Sequence, residues 1–169
     1  MKKVFLIFGL ALLSFSAFAQ SKVGTIDADY ILSQMPEMAT VNEGLKAYNE
    51  ELQKELQTNV QNYESLVKDY QANSTSLADE EKANKETEII TLENDIKNFR
   101  QKATVMMQMK RNELTQPLYK LINEAMLQVI QEEKYTQIFH SGGNDLAFSS
   151  QEYDITMKVL KKMGIEVKE

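Results

Sequence analysis

The sequence predicts an α+β chain in which a long antiparallel helical hairpin is inserted into a small, split β-containing body. Three observations lead there. The stretch from Val41 to Leu114 has no proline and one glycine, Gly44, and its apolar residues recur at three- and four-residue steps. A polar patch, Gln71 to Glu88, divides that stretch into two arms. Strand-like segments with β-branched and aromatic residues occur only outside it, on both sides.

At the N-terminus, Met1-Lys2-Lys3 is a short basic region, Val4 to Phe15 is apolar, and Ala17-Phe18-Ala19 is a small-residue cleavage site before Gln20. That order is the pattern of a secretory signal peptide over residues 1–19. The apolar run is too short to span a bilayer comfortably, and no cysteine follows to take a lipid. The formal charge of the whole chain is -6. Loss of residues 1–19 would remove two lysines and no acids, leaving about -8. An acidic chain of this kind lacks the basic field of a nucleic-acid binder. With no cysteine and one histidine, a disulfide framework is excluded and a zinc site would have to rely on carboxylates.

Lys22 to Ile26 reads as a short strand, and Asp27 as the cap of a helix from Ala28 to Met35, closed by Pro36. Pro36 can also open the next helix, since a first helical position needs no N–H. The outgoing arm places Val41, Leu45, Tyr48, Leu52, Leu56, Val60, Tyr63, Val67 and Tyr70 in steps of 4, 3, 4, 4, 4, 3, 4 and 3. This is a coiled-coil seam with a stutter near Leu52 and Leu56. At the tip, Ser76 and Asp79 have the spacing of a capping box, and Glu80 and Glu81 suit a first helical turn. The return seam is Ile89, Leu92, Ile96, Phe99, Ala103 and Met106, with Leu114 near its end. About 35 residues at roughly 1.5 Å each make an arm of about 50 Å. Pro117 is expected to kink or restart the chain at its base.

Leu118, Leu121, Ile122, Ala125, Met126, Val129 and Ile130 then form a full-width apolar helix face. Tyr135 to Ser141 and Leu146 to Ser149 read as the strands of a hairpin turning at Gly142-Gly143-Asn144-Asp145. A last helix is expected from Gln151 to Met163, capped by Ser149 or Ser150, with Tyr153, Ile155, Val159 and Leu160 inward and Gly164 ending it. The expected division is a signal peptide at 1–19, a split body at 20–37 and 115–169, and an arm at 38–114. Three short strands with two helices leave open edges, which joining with other copies would cover.

Little in the chain points to catalysis. His140 lies at a strand end beside Ser141, with Asp145 near in sequence, and proximity in one hairpin does not make a triad. Ser141-Gly-Gly-Asn144 lacks the lysine and setting of a phosphate loop. Asp27 with Asp29, and Asp79 with Glu80 and Glu81, are explained by acid placement at helix N-termini. No catalytic, cofactor or metal site is therefore assigned. Met106, Met107 and Met109 cluster near the base of the return arm, where thioethers either fill gaps or meet varied apolar partners.

Two stretches carry a family resemblance. Lys22-Val-Gly-Thr-Ile-Asp27, continued by Tyr30-Ile31-Leu32 to Met35-Pro36, is the first. Tyr135-Thr-Gln-Ile-Phe-His140, Leu146-Ala-Phe-Ser149 and Asp154-Ile155-Thr156 through Val159-Leu160 form the second. Together with the signal peptide and the polar hairpin, they resemble the Skp (OmpH) family of periplasmic chaperones over residues 22–163, weakly in the arms. The resemblance implies a β-barrel body completed by trimerisation and three tentacles around a cavity. Unfolded outer-membrane β-barrel proteins would be held there without ATP or any cofactor. Val23, Ile26, Ile138, Phe148, Ile155, Val159 and Leu160 are expected in the body core or at trimer contacts. Tyr48, Tyr63, Tyr70, Met106, Met107 and Met109 are expected to touch clients. Nucleic acid and a stable membrane anchor are not expected, and any membrane contact would be transient. A structural periplasmic spacer or adaptor is the alternative.

One departure concerns charge. Well-known members of that family have basic tentacles, whereas residues 40–115 here hold ten Lys/Arg and fourteen Asp/Glu. That balance argues against strong electrostatic capture of lipopolysaccharide or anionic membrane. Client contact is then expected to rest on apolar and tyrosine surface.

Overall fold

The structure, a computed structural model, describes residues 21–142 and 146–166. The signal peptide expected at residues 1–19 lies outside the described residues. The fold is mostly helical, with a long helical hairpin and a two-stranded sheet. Two compact units are present. One combines the chain up to Met35 with the chain from Tyr119 onward, and the other is Pro36–Leu118.

In the first unit, β1 (Val23–Ile26) leads through Asp27 into α1 (Ala28–Gln34). Asp27 caps α1 as expected, its Oδ1 accepting from the Tyr30 N–H at 2.8 Å. β2 (Gln137–His140) pairs with β1 in parallel, Val23 opposite Gln137 and Ile26 opposite His140. Parallel neighbours need a long crossover, and here everything between Asp27 and Thr136 serves as one.

This arrangement corrects the expected hairpin. Leu146 to Ser149 is not a strand: Leu146 is half-buried and Phe148 is 85 % exposed. Part of the expected turn, residues 143–145, lies outside the described residues. On its other edge β1 carries a single parallel bridge, Thr25 to Asp154, with the Ile155 N–H donating to the Thr25 carbonyl at 2.8 Å. That bridge also breaks the expected last helix. Gln151–Tyr153 is a single 3-10 turn, Asp154 is extended, and α4 runs only Thr156–Lys162. Neither Ser149 nor Ser150 caps it. The Asp154 carboxylate does so from two residues upstream, accepting the Thr156 N–H at 2.8 Å. Tyr153, expected inward, is 48 % exposed. Gly164, at φ +72, ends the helix with the Ile165 N–H on the Leu160 carbonyl, the bond pattern of a left-handed cap.

The core of this unit is formed by Ile26 from β1, Ile31 and Leu32 from α1, and Ile155, Val159 and Leu160 around the start of α4. Ile122, Ala125 and Val129 add the inner face of α3, whose bounds are Asp79–Glu133. At the end of α3, Lys134 takes the left-handed conformation, φ 59, and the Tyr135 N–H reaches back to the Ile130 carbonyl.

The second unit contains α2 (Met38–Asn73) and most of α3. Pro36 stays in the turn ahead of α2 rather than inside it. The two helices run antiparallel: Gly44 faces Leu114, Tyr48 faces Lys110, and Tyr70 faces Glu86. All the seam positions read from the 3-4 spacing are buried or half-buried. Only Val41, Leu52, Ile96 and Leu118 are buried apolar residues in this unit, so the seam is thin. Ser76 does not open the return helix. Its hydroxyl donates to the Asn73 carbonyl at 2.8 Å and closes α2. The other half of a capping box is present, with Glu81 accepting the Ala78 N–H at 3.3 Å. Pro117 does not interrupt α3, which continues through it at the loss of one backbone donor.

Candidate interaction surfaces

Helical periodicity decides what the arm presents. The seam takes the apolar residues at three- and four-residue steps, so the tyrosines expected to touch a partner are drawn partly inward. Tyr48, Tyr63 and Tyr70 are half-buried. Tyr48 lies beneath Lys110, whose Nζ is 5.7 Å from the ring centroid. Tyr70 donates its hydroxyl to Glu86, and that bond raises the phenol above its ordinary pKa. Met106 and Met107 are half-buried as well. Of the six residues named from sequence, Met109 is the exposed one, at 65 %.

Two exposed residues were not singled out from sequence. Ile90 is 58 % and Val105 is 59 % exposed, both on α3. Neither belongs to the 3-4 series that identified the seam. Their signal in the sequence was an apolar side chain on the face of the helix away from the seam.

The arm's charge is unevenly placed. Between Ile96 and Asn112 there are five cations and no acid. Near the tip, Lys85 Nζ is 2.7 Å from Asp69 Oδ2. The hydrogen bond from Lys85 holds the Asp69 carboxyl below its usual value and raises Lys85 in return.

In the first unit, an open groove of about 820 Å³ runs beside β1. Val23, Phe139, Leu146, Phe148 and Tyr153 supply its apolar lining, and Thr25 and Ser149 join across it by a 3.0 Å hydroxyl contact. Of the body residues named from sequence, Ile26, Ile155, Val159 and Leu160 are buried, Ile138 is half-buried, and Val23 and Phe148 are exposed. A smaller apolar pocket of about 250 Å³ lies under Tyr119, with His140 at its margin. His140 is exposed, and Asp145, its neighbour in the sequence, lies outside the described residues.

Ion pairs fasten the end of α3. Lys22 Nζ donates to the Glu133 carbonyl and carboxylate, both at 3.0 Å, and lies 4.0 Å above the Tyr135 ring. Lys158 Nζ approaches the same carboxylate at 2.8 Å. Hydrogen bonds from Lys158 and then Lys22 hold the Glu133 carboxyl below its ordinary range. A cation on the last carbonyl also suits the negative end of a helix. Among the described residues, no helix is long and apolar enough to cross a membrane.

Comparison with known proteins agrees with this architecture. A crystal structure of an OmpH-like protein from Caulobacter crescentus, assigned there as an outer membrane chaperone, superposes with a TM-score of 0.60. The identity is 16 %, and the match covers 89 % of each chain. At that identity the likeness speaks for the fold. No curated protein matches the sequence. The profile of the family described as "Outer membrane protein (OmpH-like)" matches residues 22–163, from β1 through the residue after α4. The chain belongs to the OmpH-like family.

Proposed function

We propose that the protein is an ATP-independent holdase of the periplasm that keeps unfolded outer-membrane β-barrel proteins from aggregating. The observation that carries this reading is the thin arm. A hairpin of this length buries only Val41, Leu52, Ile96 and Leu118 and leaves large apolar side chains on its surface. A permanent structural coiled coil would instead concentrate its apolar residues in the seam. Family membership and the fold of the Caulobacter crescentus chaperone support the same reading.

The working form is a homotrimer whose bodies complete a small β-barrel and whose arms surround a cavity. The groove beside β1 supports this, because Val23, Phe139, Phe148 and Tyr153 form an apolar face that none of the described residues covers. The export signal expected at the N-terminus places the protein where such clients pass. No catalytic group, cofactor or metal takes part.

The test is aggregation of a urea-unfolded outer-membrane β-barrel protein diluted into buffer without nucleotide. Stoichiometric trimer should suppress light scattering. Unchanged aggregation at several-fold excess would refute the holdase, and one stable partner in pull-downs would support a spacer. Mass by light scattering tests the assembly: Phe148→Asp should yield monomer, and an unaltered trimer would show that the groove is not the interface.

A further inference from the structure

On an exposed helical arm the outward face usually carries the charges, while the positions flanking the seam are mixed. The helix α3 inverts this. Seven charged residues lie between Thr91 and Asn112, and none falls on the outward line of three- and four-residue steps; Lys102, beside Asn98 and Val105, comes nearest to it. Steps of three and four from Thr91 meet Asn94, Asn98, Gln101, Val105, Gln108 and Asn112, all exposed and all uncharged. Ile90 and Met109 adjoin this line, which lies opposite the buried Ile96. Gln108 Nε2 donates to Asn112 Oδ1 at 3.0 Å, so part of the stripe forms a short amide ladder.

We infer that this charge-free stripe of α3 is the surface on which the arm holds an extended, uncharged strand segment of an unfolded β-barrel protein. The inference rests on the holdase reading and adds the face and the chemistry. An apolar segment laid on lysines or glutamates would strip water from them at high cost; laid on amides it costs less, and hydrogen bonds to the segment's backbone can offset that cost. Carboxamides both donate and accept, so they can satisfy the unpaired N–H and C=O groups of an extended backbone whatever its side chains. Ile90, Val105 and Met109 add apolar contact at points along the line.

Length argues for the same occupant. Thr91 to Asn112 spans about 32 Å of helix at roughly 1.5 Å per residue. An extended chain covers that in about 10 residues at roughly 3.3 Å each. A membrane-spanning β-strand has about 9–11 residues and few charges on its lipid face. A helix from a second copy fits poorly, since a coiled-coil seam needs apolar residues every three or four positions and most positions here are amides.

The test compares two variants of equal charge. Asn98→Glu/Val105→Glu/Met109→Glu places three carboxylates on the stripe. Gln57→Glu/Gln61→Glu/Ser65→Glu places three on exposed positions of α2. All six positions are exposed, and circular dichroism with light scattering verifies fold and mass. Affinity is read by fluorescence titration with a urea-unfolded outer-membrane β-barrel protein. Loss of Val105 and Met109 contact with burial of charge should weaken the stripe variant by at least about tenfold. The α2 variant should stay within about twofold, well under a 1 kcal/mol change. Equal losses, or no loss on the stripe, would overturn the assignment while leaving the holdase intact. A parent protein that binds no client would overturn the holdase reading itself. A photoreactive residue at Asn98 should crosslink to client; crosslinks between copies in its place would also overturn the assignment.

Discussion

Thr156 offers a sharp test of what holds the body together, because its hydroxyl and its methyl group lead to opposite expectations. The side chain is buried, and its Oγ1 accepts the Asp27 N–H at 2.9 Å while donating to Asp154 Oδ1 at 2.5 Å. Asp27 is the cap of α1 and Asp154 the cap of α4, so one hydroxyl joins the starts of two helices. Thr156→Val keeps the shape and removes the hydroxyl. Stranding the Asp27 N–H costs about 1–3 kcal/mol, and the lost bond to a carboxylate a comparable amount. The added methyl returns about 0.8 kcal/mol. The net expectation is a loss of about 2–4 kcal/mol, or a fall of about 1–2 M in the urea midpoint. Thr156→Ser keeps both bonds and loses one methyl, at about 1 kcal/mol. Urea unfolding followed by circular dichroism, at one fixed protein concentration because the proposed assembly would contribute to stability, separates the two. If the valine variant is as stable as the serine variant, or more so, packing rather than the shared hydroxyl joins these helices and the reasoning fails.

Three further outcomes follow from the geometry. Lys134 occupies the left-handed region at the end of α3, so Lys134→Gly should raise stability by about 0.5–1 kcal/mol, and a lower urea midpoint would contradict that. A Cβ on Gly24 would stand 2.8 Å from Tyr135 Cε1 and 2.9 Å from Ile138 Cδ1, so Gly24→Ala should cost about 1–3 kcal/mol, most of it from the buried tyrosine ring. The Glu133 carboxyl is held below its ordinary value by Lys158 and Lys22, so its contribution is complete above the ordinary glutamate range and is lost as pH falls through its folded value. Glu133→Gln should therefore flatten the loss of stability between about pH 5 and pH 3, and parallel pH profiles for the two proteins would show that the lysines do not act through that charge.

Features encoded by nearby residues were legible. Every seam position read from the 3-4 spacing is buried or half-buried, because the angular repeat of a helix is a local property. Asp27 and Gly164 announced their helix ends for the same reason: each cap is settled within four residues. Long-range pairing was not legible. Gly142-Gly143-Asn144-Asp145 has hairpin chemistry, but Gln137–His140 pairs with a strand more than a hundred residues earlier, and no local signal records that choice. The same long-range bridge, Thr25 to Asp154, divides the last helix at a point where propensity alone would continue it. For the candidate surface, apolar periodicity led to the tyrosines and so toward the seam. Ile90 and Val105 required attention to where charge is absent rather than to where apolar residues recur.

The placement of stabilising contacts along the arm bears on how such a hairpin can work. Its buried apolar side chains are Val41 and Leu118 at the base and Leu52 and Ile96 farther out. Beyond these, toward the tip, the apolar seam residues are only half-buried, and Lys85 with Asp69 and Tyr70 with Glu86 add contacts between α2 and α3 that are open to water. Water competes for polar contacts of that kind and salt screens the charged pair, so they set the register of the two helices without adding much to their cohesion. Apolar contacts at the inner part supply cohesion that water does not replace. Local stability should therefore decline from base to tip within a single pair of helices. On the proposed function, such an arm would keep its inner section fixed while its outer section adjusted to segments of different shape. The uncharged face of α3 lies mostly along the inner section and reaches the start of the outer one at Thr91, so one surface would offer a firm seat over most of its length and a more compliant one at its outer end.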